Sequence, residues 1–193
     1  MGSVQHEHLN KLAREIWQWC EERNIWIFAS YINTKDNWEA DAECRALRPE
    51  TEWSLADSVF EKIKSKLGIP DIDLFASIAN RKCIRYVSWQ SDPEAVACDA
   101  FTLSWSNLNF YAFPPFSIIL RVLQKINTDD ARGIVVVPYW PSQPWFPLFV
   151  KLAIDKPLYF GSDVNMLLSP YSQEAHPLAS KLTLVACRLS GKH

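Results

Sequence analysis

The chain has 193 residues, enough for one domain, or one domain and a fragment, with a real buried core. Its 20 basic and 22 acidic residues leave a formal net charge of −2, so nothing in the overall charge points to nucleic acid or membrane. Nine tryptophans and twelve prolines against five glycines imply a large aromatic core or an aromatic surface awaiting a neighbour.

The five cysteines, Cys20, Cys44, Cys83, Cys98 and Cys187, are odd in number and scattered. With no Cys-x-x-Cys pair, no zinc site is expected. Reduced thiols in an intracellular compartment are expected, with nucleus and cytoplasm not distinguished. No signal peptide or bilayer-length apolar run is seen, so no membrane partner is expected.

In chain order, residues 1–6 read as a frayed start, and His6 and His8 have no metal-ligand company. From Glu7 to Glu22, apolar Leu9, Leu12, Ile16, Trp17 and Trp19 or Cys20 recur at helical spacing. Asn24 breaks the pattern. Ile25–Ala29 is apolar on both faces, as in a central strand. A polar loop, Asn33–Asp36, leads to a short carboxylate-rich helix over Asn37–Arg45. Arg48-Pro49-Glu50-Thr51-Glu52 is the boundary candidate, since proline ends a helix and opens an extended connector.

Beyond it, Trp53 and Leu55 are expected to be packed. A helix over Ala56–Leu67 places Val59, Phe60, Ile63 and Leu67 on one face, with Glu61, Lys62, Lys64 and Lys66 opposite. Gly68 closes it. Ile69–Ser77 reads as a turn and a buried strand, Ile84–Trp89 as another, and Cys98–Trp105 follows.

The stretch Asn109–Ser117 organises what surrounds it. It reads as a buried strand stopped by Pro114 and Pro115, which donate no backbone hydrogen bonds. An amphipathic helix from about Ser117 to Ile126 follows. A stiff extended bracket at a strand's carboxyl end is either a rigid turn or a ligand site. Gly133–Pro138 is an apolar β-branched run of the parallel-sheet kind. Pro144–Ala153 reads as a helix with proline in its first turn. Short strands over Leu158–Phe160 and Met166–Leu168, and a last one over Leu182–Cys187, complete an α/β chain of three layers.

Two motif sets carry resemblances. Asn37, Ala40-Asp41 and Cys44-Arg45 resemble the closing motif of ribonuclease H domains fused to reverse transcriptases. The resemblance covers about residues 7–48 and implies a carboxyl-terminal remnant over 1–50. Asp41 matches that family's last metal-binding carboxylate. Two-metal cleavage needs several carboxylates around ions about 4 Å apart. One carboxylate cannot hold them, so no nuclease activity is expected, and Asp41 alone reads as a solvated helix carboxylate.

Residues 71–147 resemble the phage-type Dam family of adenine DNA methyltransferases. The matching features are Asp71–Ser77 with Asn80, Asp99-Ala100-Phe101 with Trp105, Phe113-Pro114-Pro115-Phe116, and Val135–Pro138 with Trp145-Phe146. The resemblance implies a Rossmann-like methyltransferase sheet over 51–193, with S-adenosylmethionine as the possible cofactor. Asp73, Ser77 and Asp99 are its cofactor-binding candidates, and Asp99 reads equally as a turn cap. No glycine-rich loop follows Asp73.

In that family an Asn or Asp and a proline carbonyl accept the hydrogens of the target amine, and an aromatic ring stacks on the flipped base. Here Pro114 keeps its carbonyl and Phe116 the stacking ring. Phe113 stands at the acceptor position without a hydrogen-bonding group. Losing one such positioning bond costs roughly 3–4 kcal/mol of barrier, by analogy with a lost oxyanion donor. A degenerate site is expected.

The two parts in this order resemble the polymerase polyproteins of DIRS-like, tyrosine-recombinase retrotransposons. Leu74–Ser77, Tyr111–Phe116 and Trp140–Pro147 are phrases of that kind. The resemblance implies a fragment without catalysis, structural or associated with nucleic acid through the parent polyprotein, whose reverse transcriptase and ribonuclease H domains would be its partners. The rivals are a working adenine methyltransferase with a divergent Phe-Pro-Pro-Phe motif and a domesticated protein-interaction domain. The Trp-rich segment 138–147 fits aromatic packing better than a single-strand stacking platform, since no Lys or Arg lies between Gly133 and Val150.

Overall fold

The computed structural model describes residues 7–26 and 53–192, and the chain divides into two units, Met1–Ala46 and Leu47–His193. In the first unit, helix α1 spans Glu7–Glu21. It ends in a turn where Asn24 takes a left-handed φ of 54°, a conformation Asn tolerates. The indole of Trp19 lies under the Arg23 guanidinium at 4.3 Å, and Cys20 is buried. Ile25 and Trp26 belong to no strand, and Trp26 is 96% exposed. The rest of the expected strand, the short helix and Asp41 lie outside the described residues.

The second unit is built on a seven-stranded sheet. Its strands are β2 (Ile72–Asp73), β3 (Arg85–Ser88), β4 (Ala97–Cys98), β5 (Asn109–Ala112), β6 (Arg132–Pro138), β7 (Leu158–Phe160) and β9 (Leu184–Ser190). They stand in the order β4-β3-β2-β5-β6-β9-β7. The five from β4 to β6 are mutually parallel, and β9 runs antiparallel to both its neighbours. A separate two-stranded antiparallel sheet joins β1 (Ser54–Leu55) to β8 (Leu167–Leu168).

Alternation along the strands sorts the core into two layers. Ile72, Phe110, Ala112, Val135 and Val137 face helix α3 (Ile119–Thr128) and helix α4 (Phe146–Leu152). Tyr111, Ile134, Val136, Leu184 and Ala186 face helix α2 (Asp57–Leu67), with Leu55 and Leu167 of the small sheet. Helix α3 buries Ile119, Val122, Leu123 and Ile126 completely. Each such side chain contributes about 1.5–3 kcal/mol, which outweighs the helix's missing side-chain cap.

Local chemistry sets the helix ends. Helix α2 stops at Gly68, whose φ of 92° suits glycine and whose N–H donates to the Lys64 carbonyl. The double proline ends β5 at Ala112, and a 3-10 turn over Phe116–Ile118 precedes α3. Helix α4 starts at Phe146, two residues after the expected Pro144, and the proline in its first turn is Pro147. Residues 141–145 are turns instead, two of them prolines.

Candidate functional site at the carboxyl ends of β2 and β5

The sheet order reverses between β2 and β5. From β2 the chain adds β3 and β4 on one side, then returns to add β5 and β6 on the other. At such a switch point the two following loops part and leave a crevice. Two of the sequence-chosen groups sit at strand ends here, Asp73 on β2 and Phe113–Phe116 after β5, while Asp99 follows the outer strand β4.

Asp73 closes β2 and is 2% exposed. Its carboxylate accepts two backbone N–H bonds, from Phe75 at 3.3 Å and from Lys82 at 3.0 Å. Both donors belong to the loop that follows β2, so the acid in an apolar strand shapes its own loop. Burial raises its pKa to about 6, against the opposing pull of the Lys82 and Phe75 N–H groups and the Lys82 charge. Lys82 reaches away to Asp57 at the start of α2, 2.6 Å from Nζ.

The rest of that loop satisfies itself as well. Asn80 Oδ1 accepts from the Ser77 N–H at 2.7 Å, and Ser77 Oγ accepts from the Ala79 N–H at 3.2 Å. Asn80 Nδ2 donates to the Trp53 carbonyl at 3.3 Å. The loop thus has a polar skeleton where a glycine-rich phosphate cradle would have free N–H groups.

Asp99 is a cap. Its carboxylate accepts from the Phe101 N–H at 2.9 Å and opens a 3-10 turn over Ala100–Thr102, with a φ of 58°. It follows β4, two strands from β2, and does not line the cavity that holds Asp73. The turn it caps carries Phe101 into an aromatic group with Phe75 and fully buried Trp105.

Phe113 and Phe116 sit 6.3 Å apart edge to face. Phe116 meets Trp140 at 5.3 Å and His176 at 6.3 Å, and His176 meets the Trp53 indole at 4.4 Å. These five half-buried rings close over the crevice. His176 accepts from the Leu178 N–H through Nδ1, and desolvation holds its pKa below the usual histidine range.

Beneath them a cavity of about 10 Å³ remains, the space of one water at most. Asp73, Phe75, Asn80, Lys82, Tyr111, Phe113, Trp53 and Leu55 line it. Tyr111 is 1% exposed and its hydroxyl has no hydrogen-bond partner. Burial pushes its ionisation well above the usual phenol value, and the Asp73 charge adds to that. Burial likewise holds the Cys83 thiol at about 12, far from a thiolate.

The structure therefore brings Asp73 and Phe113 to one cavity, with Phe116 beside it and Ser77 in the loop above. It keeps Asp99 apart. Trp53, Lys82 and His176 join the site unannounced by any motif. Tyr111 alone had a local signal, its alternation with Phe110 along a strand buried on both faces.

The Trp-rich segment faces inward in part: Trp145 is 7% exposed and belongs to the core. Tyr139 stays outside, 41% exposed, edge-on to Phe146 and to Tyr159. Among the described residues, no three His, Cys, Asp or Glu side chains gather as metal ligands, and no helix is long and apolar enough to cross a membrane. No family model matches the sequence, and no curated protein matches it.

Proposed function

We propose that residues 51–193 form a Rossmann-like methyltransferase domain that has lost catalysis. The whole chain would be a piece of a DIRS-like retroelement polyprotein, serving it structurally or beside nucleic acid. The order 3-2-1-4-5 about a switch point is that of the Rossmann sheet, and the strands β4 to β6 follow it. The antiparallel β9 between β6 and β7 departs from the parallel order of the other strands.

One observation carries the loss of catalysis. The Asp73 carboxylate is engaged by its own loop, and only about 10 Å³ stays open between it and Phe113. A cofactor's amine or ribose would have to displace the Phe75 and Lys82 N–H bonds and open the ring cluster. Phe113 then offers the target amine nothing to accept its hydrogens.

Calorimetric titration of the chain with S-adenosylmethionine tests this reading. No heat of binding at millimolar cofactor is the expected result. Micromolar binding would overturn it and favour a working enzyme.

The protein-interaction reading has one observation of its own. Tyr139, Tyr159, Val150 and Ile154 are 41–58% exposed around an aromatic cluster, on a stretch with few cations. Salt-dependent binding to single-stranded DNA would favour the nucleic-acid role over this one.

A further inference from the structure

We infer that residues 170–178 form a pH-sensitive flap, latched by the neutral His176 imidazole and released when that ring takes a proton. Two buried residues bound the flap, Ser169 at 3% exposure and Ala179 at 1%. Between them only Pro170 and His176 are half-buried, and every other residue is exposed. The backbone folds as a hairpin. The Ser169 N–H donates to the Glu174 carbonyl at 2.8 Å, and the His176 N–H donates to the Leu167 carbonyl at 2.9 Å. Gln173 at its tip takes a left-handed φ of 60°. The one aromatic side chain of the hairpin that reaches inward is therefore a titratable one. The hinges are fixed, because Met166, Leu167 and Leu182 on either side belong to the core.

The latch needs a bare Nδ1. That nitrogen accepts from the Leu178 N–H at 3.0 Å, so the neutral ring carries its hydrogen on Nε2. The His176 carbonyl accepts from the Ala179 N–H at 2.8 Å and closes the same turn. Protonation sets an N–H at Nδ1 against the Leu178 N–H, and attraction becomes repulsion. To escape it the ring must turn away from Trp53, 4.4 Å off, and from Phe116, 6.3 Å off. An open flap hydrates the imidazolium that the closed flap desolvates. The charged groups nearby do not stabilise it. Asp73 and Lys82 line the cavity beneath Trp53, and Lys82 is paired with Asp57. Glu174 on the hairpin and Lys181 beyond it are exposed. Among the described residues, no carboxylate pairs with the ring to hold its proton in the closed state. The device is the hairpin's own and needs no cofactor.

Amide exchange of the full chain at pH 7.5 and pH 5, corrected for the intrinsic rate of each amide, tests the flap. Protection of the His176 and Ser169 N–H groups should fall by about tenfold at pH 5. Protection of the Val135 N–H, inside the large sheet, should not fall with it. His176→Phe keeps an aromatic ring without the charge, and its flap should be equally protected at both pH values. Asp73→Asn should behave as the natural chain, which separates the latch from the acid that titrates in the same range. Unchanged protection in the natural chain would mean that the Trp53 ring holds the imidazolium, and would overturn the inference. An equal fall in His176→Phe would overturn it too. Should His176→Phe fail to fold, the natural chain decides. Its loss of protection must share a midpoint with the His176 imidazole C–H shift, and separate midpoints would overturn the latch.

Discussion

Tyr111 and Asp73 are register partners on adjacent parallel strands, both buried, and the carboxylate has two hydrogen bonds where the phenol has none. A buried polar group left unpaired costs about 1–3 kcal/mol. Tyr111→Phe removes that cost and keeps the ring that meets Phe60 edge to face at 5.0 Å. The variant should therefore be more stable by about 1 kcal/mol. Urea denaturation of the two proteins at pH 7 measures it, and a loss of stability would mean that the hydroxyl has a partner.

Asp73 gives a pH dependence of definite sign. Its folded pKa of about 6 lies above the ordinary 3.8, so between those values the folded chain holds a proton that the unfolded chain has released. Its contribution to stability is present below the unfolded value and is lost as pH rises through about 6. The loss amounts to about 3 kcal/mol at most, from about 1.4 kcal/mol per pH unit. His176, held low by desolvation, works the other way and loses stability as pH falls below its unfolded value. Comparison with Asp73→Asn isolates the first effect. The stability of the natural chain relative to this variant should fall between pH 4 and pH 7 in denaturant titrations, and a difference independent of pH would refute the assignment.

Gly133 has a steric reason to be glycine. It is the register partner of Phe110, and a Cβ built there would stand 2.5 Å from the Phe110 ring. That ring is fully buried beside Trp105, at a centroid distance of 5.3 Å, and has no room to retreat. Gly133→Ala should cost about 1–3 kcal/mol, as overpacking of a filled core does. A thermal melt that does not move would show that the ring can shift.

Restoring the family's acceptor alone should not restore chemistry. Phe113→Asn puts a side-chain carbonyl where the resemblance requires one, but the Asp73 loop and the five rings above it stay shut. Tritiated methyl transfer from S-adenosylmethionine to adenine-containing DNA should remain at background in this variant. Incorporation above background would show that Phe113 was the sole defect.

Much of the second unit was legible because its signals are local. The period of α2, Gly68 after it, the double proline after β5 and the β-branched run of β6 each name an element from within a few residues. Asp73 announced itself as an acid inside an apolar strand. Its partners did not, because the Lys82 N–H is nine residues away and any residue but proline carries that donor. Trp53 and His176 meet across more than a hundred residues, through a β1–β8 ladder of two residues that is too short to leave an alternating pattern. Asp99 read equally as cap and as ligand, because a cap and a ligand both ask for a short carboxylate at a strand end. The start of α4 was misplaced because two prolines, Pro144 and Pro147, offered the same first-turn signal and only packing chose between them.

The placement of β9 has a consequence for synthesis. Of the nine strands among the described residues it leaves the ribosome last, yet it stands inside the sheet and bonds β6 along seven positions and β7 along three. Until it arrives, β6 offers a long bare edge of Ile134, Val135, Val136 and Val137, and β7 has nothing to lie against. Such an edge invites pairing with a neighbouring nascent chain. The growing polypeptide must therefore be shielded over the fifty or so codons that separate β6 from β9, and a ribosome stalled in that interval would release an aggregation-prone half-sheet.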